Sequence, residues 1–243
     1  MASNWCDYVV VVSEQNKTVL SMDGVVPEKK LQVVYNGISE LKPQYTKSSA
    51  REILGISEET FLIVTVTRLD KPKDPLTLVK GFEKICKDKK NCILAIVGDG
   101  SLKRDIVTEI EARGLSDKVK MPGFVNDVDL YLASADVFCL ATQKEGLPIS
   151  ILESMKYSLP IVANAVDGIP EQIKDGWNGY LIPVGDDTDF ANKIGLIYAN
   201  REHGFDLGRN SRNLLLENFV AEANYNGLVN LYDSLYNTKM ENN

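Results

Sequence analysis

From residue 61 onward, short apolar runs alternate with stretches whose apolar residues recur at helical spacing. The runs at 61–67, 92–97, 118–121, 137–141, 161–163 and 179–182 read as buried strands. Helices are predicted near 75–87, 101–113, 127–134, 148–157, 169–174 and 187–199. Strict strand–helix alternation predicts an α/β fold: a doubly wound parallel sheet, Rossmann-like, with helices on both faces. Ligands of such sheets bind beyond the carboxyl ends of the strands, so side chains just after each run are the first candidates for chemistry.

The two ends of the chain follow a different pattern. A strand at 8–12, a helix at 14–22 and a second strand at 31–37, closed by the turn signal Asn36-Gly37, precede a polar, proline-containing segment at 38–48 that reads as a linker. We place a boundary there, giving units of 1–40 and 41–220. Residues 202–237 predict two amphipathic helices, with Leu214, Leu215, Phe219, Leu228, Leu231, Tyr232 and Leu235 available for burial. The final segment, 221–243, is treated as a separate terminal helix.

Composition narrows the function classes. The 243 residues carry a formal net charge of −7, which argues against nucleic acid or an anionic membrane surface as the partner. The apolar run at 8–12 is too short for a signal segment or a membrane span. Cys6, Cys86, Cys92 and Cys139 form no Cys-x-x-Cys pair and read as reduced thiols of a cytoplasmic protein. The single histidine, His203, lies in a polar helical stretch and reads as a surface residue, leaving no basis for a histidine metal centre or a catalytic triad.

The candidate chemistry gathers at the strand ends. Run 61–67 delivers Arg68, and Lys73 follows just before Asp74-Pro75, a helix cap with proline at the first helical position. A forked guanidinium and a mobile ammonium at a helix N-terminus suit a diphosphate, although alone they read equally as solvated loop charges. Gly98-Asp99-Gly100 makes a tight strand-to-helix turn without the third glycine of a dinucleotide fingerprint. Gly123 and Phe124 offer close backbone approach and an apolar wall for a base, or core packing. Thr142 ends run 137–141 and leads into Glu145-Gly-Leu-Pro-Ile-Ser-Ile-Leu-Glu153, with Pro148 announcing a helix. Glu145 then stands at the helix mouth and Glu153 roughly 10–12 Å further along. Gly168-Ile-Pro-Glu171 repeats the device, so two helix N-termini form an anion-binding corner with Glu171 at its rim. Two glutamates eight residues apart are, in an arbitrary chain, a pair of solvated surface charges.

Five segments taken together resemble one family. Glu145 to Glu153, Arg68-Leu-Asp-Lys-Pro-Lys73, Gly98-Asp-Gly100, Pro160-Ile-Val-Ala163 and Gly168-Ile-Pro-Glu171, in this order and spacing, are similar to the group 1 (family four) glycosyltransferases of GT-B architecture. The match is close over 60–185. The resemblance implies two facing Rossmann-like domains, of which this chain looks like the donor half. Residues 1–40 would be a remnant of the acceptor domain and interdomain segment, and 221–243 the crossover helix. It implies retaining transfer of a sugar from a nucleoside-diphosphate sugar, a UDP-sugar or GDP-sugar, to an acceptor hydroxyl in glycan or surface polysaccharide synthesis. The acceptor glycan or lipid-linked sugar would bind through the other domain, without which the chain would be inactive.

By the same resemblance Arg68 and Lys73 bind the diphosphate and stabilise the leaving group, and Glu145 holds hydroxyls of the transferred sugar. Glu153 accepts hydrogen bonds from the ribose, and backbone amides of Gly146 and Leu147 touch sugar or phosphate. No cofactor or metal is required, because the two cations take the metal's place. Asp74, Leu147, Ser158 and Asp167 depart from common family residues, Asp167 adding a carboxylate at the phosphate corner. The alternative reading is a binding module that holds nucleotide or nucleotide-sugar for a separate acceptor subunit.

Overall fold

The computed structural model describes residues 6–39, 42–89 and 91–241. A small unit comes first: strand β1 (Val9–Val11), helix α1 (Glu14–Met22) and strand β2 (Leu31–Val33), the strands paired in parallel. It has its own apolar cluster of Val11, Val26 and Leu31, packed by Val9, Leu20 and Val33. Both strands are shorter than the sequence predicts; Val34 N–H still bonds the Val11 carbonyl at 2.9 Å, and residues 35–37 lie outside the pairing.

The linker expected at 38–48 is followed by a helix that the sequence reading does not predict: α2 (Lys47–Leu54), capped by the Thr46 side chain and ended by Gly55 at φ 64°. Its buried residues are Ala50 and Arg51.

The main sheet has six parallel strands: β3 (Phe61–Val66), β4 (Cys92–Val97), β5 (Val119–Gly123), β6 (Val137–Leu140), β7 (Ile161–Asn164) and β8 (Gly179–Ile182). Their order is β5-β4-β3-β6-β7-β8, so winding reverses between β3 and β6. That reversal opens a crevice at the carboxyl end of these two strands. Connecting helices are α3 (Pro75–Asp88), α4 (Lys103–Ala112), α5 (Val128–Ser134), α6 (Ile149–Lys156) and the single turn α7 (Ile169–Gln172). After β8 come α8 (Asp187–Ala199), α9 (Arg201–Asn218) and α10 (Ala221–Glu241).

Side chains alternate across the strands and feed two cores. Phe61, Ile63, Leu94, Ile96, Val137 and Cys139 meet Phe82 of α3 and Phe190 of α8 on one face. Leu62, Val64, Phe138, Leu140 and Ile161 meet Ile151 and Met155 of α6 and Leu214 and Leu215 of α9 on the other. This is the expected doubly wound arrangement. Helix α10 begins beside residue 38: Ile38 and the turn before α10 exchange backbone hydrogen bonds with Phe219 and Ala221 at 3.1 Å. His203 is not a plain surface residue, since it is half-buried with Nε2 2.8 Å from the Tyr180 hydroxyl. Cys86, Cys92 and Cys139 are free thiols. Among the described residues no helix is long and apolar enough to cross a membrane.

Candidate functional site

The loop after β3 is tied on both sides. Toward β4, Thr67 and Leu69 donate to the carbonyls of Val97 and Asp99 at 3.0 Å, and the Asp70 carboxylate accepts Ser101 N–H and Oγ–H at 2.7 Å. Those two bonds hold Asp70 below the usual carboxylate range. Gly98 and Gly100 (φ 139° and 158°) are required by this seam: a Cβ on Gly98 would stand 1.9 Å from the Thr67 carbonyl oxygen, and one on Gly100 would stand 2.6 Å from Leu69. Their glycine identity is explained by packing. Gly123, at φ 82°, lies beside the Asp99–Lys103 ion pair, and Phe124 presents its ring to solvent at 76% exposure.

Toward β6 the same loop makes an antiparallel bridge between Lys73 and Thr142. Asp74 N–H donates to Ala141 O at 3.1 Å and Gln143 N–H to Pro72 O at 3.0 Å. The Asp74 carboxylate caps α3 through Thr77. Thr142 is fully buried, its N–H held at 2.7 Å by Asn164 of β7. These ties place the Lys73 ammonium against the Glu145 carboxylate in an ion pair whose side chains are 13% and 12% exposed. Arg68, two residues past β3, is exposed; its carbonyl accepts the Thr67 hydroxyl at 3.3 Å, and its side chain makes no hydrogen bond or ion pair among the described residues. Lys73 and Glu145, the cation and the acid named from sequence, thus meet at the reversal point, with Arg68 on the same loop.

The corner between α6 and α7 is occupied by one of the protein's own carboxylates. Asp167, at φ 45°, accepts Glu145 N–H at 2.7 Å. Glu171 turns away from the corner and accepts Glu14 and Gln15 N–H at 3.0 Å each, covering the N-terminus of α1. The two glycine turns touch: a Cβ on Gly168 would lie 2.1 Å from the Gly146 carbonyl oxygen and 2.9 Å from Ser13 Cβ. A Cβ on Gly146 would meet Val12 at 3.1 Å. Leu147 is buried, and its carbonyl accepts Asn36 Nδ2–H at 2.9 Å. Helix α6 starts at Ile149, so Pro148 is its cap and not its first residue. The β1–α1–β2 unit therefore sits directly on the helix mouth. Sequence reasoning had flagged Asp167 as a departure but gave no signal for its bond to Glu145, for Asn36 or for the Glu171–α1 contact.

Glu153 lies apart from this cluster, one face along α6, in an open cleft of about 680 Å³ shared with Asn126, Asp127, Val128, Asp129 and Gly37. Burial first, then the Asp129 charge, raises its pKa. A half-buried carboxylate made costly to ionise has an incentive to accept hydroxyl donors.

Residues 46–214 match the sequence pattern of the family described as glycosyl transferases group 1. N-acetyl-alpha-D-glucosaminyl L-malate synthase of Bacillus anthracis is 30% identical over 215 residues, covering 87% of this chain and 55% of that protein. An Escherichia coli UDP-Gal:alpha-D-GlcNAc-diphosphoundecaprenol alpha-1,3-galactosyltransferase is 25% identical, covering 92% and 59% respectively. The chain thus spans somewhat more than half the length of these relatives. Among solved structures, Anabaena HepE in complex with UDP and glucose superposes with a TM-score of 0.88 at 21% identity, covering 96% of this chain and 64% of that one. The fold is one half of the GT-B architecture, and the chain belongs to the group 1 glycosyltransferases as their C-terminal domain.

Proposed function

We propose that this chain is the donor-binding half of a retaining glycosyltransferase that uses a nucleoside-diphosphate sugar, with uridine as the first base to test. The observation that carries this reading is the Lys73–Glu145 pair at the β3/β6 reversal, with Arg68 exposed on the same loop. HepE, which has been solved with UDP-glucose, supports the choice of base.

In the proposed reaction the acceptor hydroxyl oxygen bonds to the anomeric carbon on the face the leaving group departs from. The bond from that carbon to the phosphate oxygen breaks, and the hydroxyl proton passes to that oxygen. Arg68 and Lys73 stabilise the charge developing on the diphosphate. Sugar hydroxyls replace Lys73 as partners of Glu145, releasing the ammonium to the phosphate. Glu153 accepts the ribose hydroxyls in its cleft, and Phe124 and Gly123 border the base. Thr142, Gly146 and Gly168 shape the floor. The acceptor, a glycan or lipid-linked sugar, binds across the cleft on the other domain of the parent protein. Residues 1–40 and α10 belong to the junction with that domain. No metal is assigned a role.

Titration calorimetry with UDP, GDP and ADP tests this. UDP binds with a Kd in the range of about 10 μM to 1 mM, and the chain alone transfers no sugar. Lys73→Ala weakens UDP about 10- to 100-fold, the scale of a charge-assisted hydrogen bond. Glu153→Ala weakens it more than Glu145→Ala does. No heat with any nucleotide on a folded sample overturns the donor-domain reading, and the reverse order of the two glutamate variants overturns their assignment.

A further inference from the structure

The opposite edge of the sheet holds a second polar constellation that the donor reading does not use. Asp136, just before β6, accepts four hydrogen bonds: Lys47 Nζ at 2.7 Å, Arg51 at 2.8 Å, Arg201 at 2.9 Å and Leu62 N–H at 2.7 Å. One carboxylate with 9% of its side chain exposed therefore faces three cations, which leaves two positive charges uncompensated within the cluster. Burial, opposed by Asp136 and reinforced by Arg51 and Arg201, lowers the Lys47 pKa. Like charges held this close strain the cluster unless an anion joins it.

The cations are not equivalent. Arg51 is buried, and its guanidinium is further tied to the carbonyls of Ser134, Ser57 and Glu58. Lys47 and Arg201 have side chains 38% and 43% exposed. Arg201 directs one of its five N–H donors to Asp136, and Lys47 one of three, so the rest have no protein partner among the described residues. Arg201 is also fixed in place, its guanidinium stacked 4.3 Å over Phe61 and 5.4 Å from the Tyr198 ring centre. A rigid fork and an ammonium with unused donors make a pre-organised anion receptor.

Both side chains line a cavity of about 340 Å³ that also includes Arg212, Tyr157 and Phe205. Its size is at the small end of ligand pockets, which run from about 300 Å³ upward. Phe205, 69% exposed, stands at its rim, so an apolar wall adjoins the cationic one. We propose that this cavity, at the amino edge of the sheet between α2, α6 and α9, is a second site for a small organic phosphate whose head group pairs with Lys47 and Arg201 and whose ring or short apolar body packs toward Phe205. Lys156 lines both this cavity and the Glu153 cleft, whereas Lys47 and Arg201 line this cavity and not that cleft.

Phenyl phosphate is the probe, titrated into the full chain at fixed ionic strength, with inorganic phosphate in parallel. The expected Kd is about 0.1–5 mM, several-fold tighter than for inorganic phosphate. Lys47→Gln, a substitution at an exposed first helical turn, weakens phenyl phosphate at least 3-fold, and Arg201→Gln weakens it further. Arg68→Ala, at the other edge, leaves it unchanged. Should Arg201→Gln fail to fold through loss of its stacking, Lys47→Gln alone decides. The proposal is overturned by absence of saturable binding, by an unchanged Kd in Lys47→Gln, or by loss of binding in Arg68→Ala. Equal affinity for the two probes overturns its apolar half.

Discussion

The two edges of the six-stranded sheet handle charge in opposite ways. At the carboxyl edge four acids are held by neutral N–H and O–H groups, Asp70 by Ser101, Asp74 by Thr77, Asp167 by Glu145 and Glu171 by Glu14 and Gln15, while Glu145 and Asp99 each pair with one lysine. At the amino edge Asp136 is held by three cations. Capping by amides neutralises no cation, so Arg68 stays available and Lys73 is matched by a single acid that a polyhydroxyl ligand can take over. Crowding three cations on one acid instead locks helices α2 and α9 to the start of β6, a structural use of charge. The partners differ in consequence: neutral caps leave Arg68 to meet a ligand, while the shared acid ties two helices together and still leaves donors of Lys47 and Arg201 over.

The largest test of that contrast is Asp136→Asn. Arg51, with a side chain 2% exposed, loses its counter-charge and cannot be re-solvated where it stands. Breaking a buried pair from one side costs about 3–5 kcal/mol, and the exposed Lys47 and Arg201 add little. The thermal unfolding midpoint should fall by about 6–20 °C for a domain of this size. Affinity for UDP at 25 °C, where the variant remains folded, should stay within about 2-fold, an interval of ~0.4 kcal/mol. A large loss of UDP affinity without a loss of stability would mean that the edges are coupled and the contrast is wrong.

The legible and illegible parts of the molecule divide along the same physical line. The inner strands were readable because a parallel strand covered on both faces must be apolar at nearly every position, as at 61–64 and 161–163, while the edge strand β5, with Lys120 exposed, kept only a short apolar signal. The strand ends and helix starts that carry Arg68, Lys73 and Glu145 were readable from local residue types, whereas the grouping of these residues with Glu153 as a candidate site rested on the resemblance. Helix α2 was missed because its buried anchor is Arg51, a charge satisfied by residues more than eighty positions away. The half-burial of His203 by Tyr180, the Lys73–Glu145 pairing across 72 residues and the docking of Glu171 on α1 across 157 are likewise products of tertiary approach, with no local pattern to announce them. The glycines at 98 and 100 were visible, but their close approach to the backbone of Thr67 and Leu69 was not.

Glu171→Ala gives a smaller, more local effect at the carboxyl edge. The side chain caps two amides of α1, and Tyr35, whose hydroxyl pKa is pushed up to about 12 by burial and then by Glu171, shares the same carboxylate. Losing such a cap costs about 1 kcal/mol. Because β1–α1–β2 has its own small core, the cost should fall on that unit. Hydrogen exchange at Glu14 and Gln15 should speed about 5-fold, while the main unfolding transition moves by less than about 2 °C. If the main transition instead drops as far as in Asp136→Asn, the small unit is part of the central fold and its seat on the helix mouth is permanent.

Glu153→Gln is expected to have the smallest effect on stability, and it carries the sign that separates a ligand-binding acid from a structural one. The folded protein raises the Glu153 pKa above its ordinary 4.5, burial being the first cause, so the folded state binds the proton more tightly than the unfolded chain. The stabilisation is fully present below 4.5 and is lost as pH rises through the raised value, the reverse of a salt-bridged carboxylate. Glutamine removes that loss. Urea midpoints for the variant should therefore exceed wild type at pH 8, by about 0.1–0.3 M for a few tenths of a kcal/mol, and converge with it toward pH 5. UDP affinity should fall in the same variant, because an amide accepts ribose hydroxyls less strongly than a carboxylate does. A variant less stable than wild type at pH 8 would show that Glu153 is held by structural partners, which would place it with Asp136 and not with the open edge.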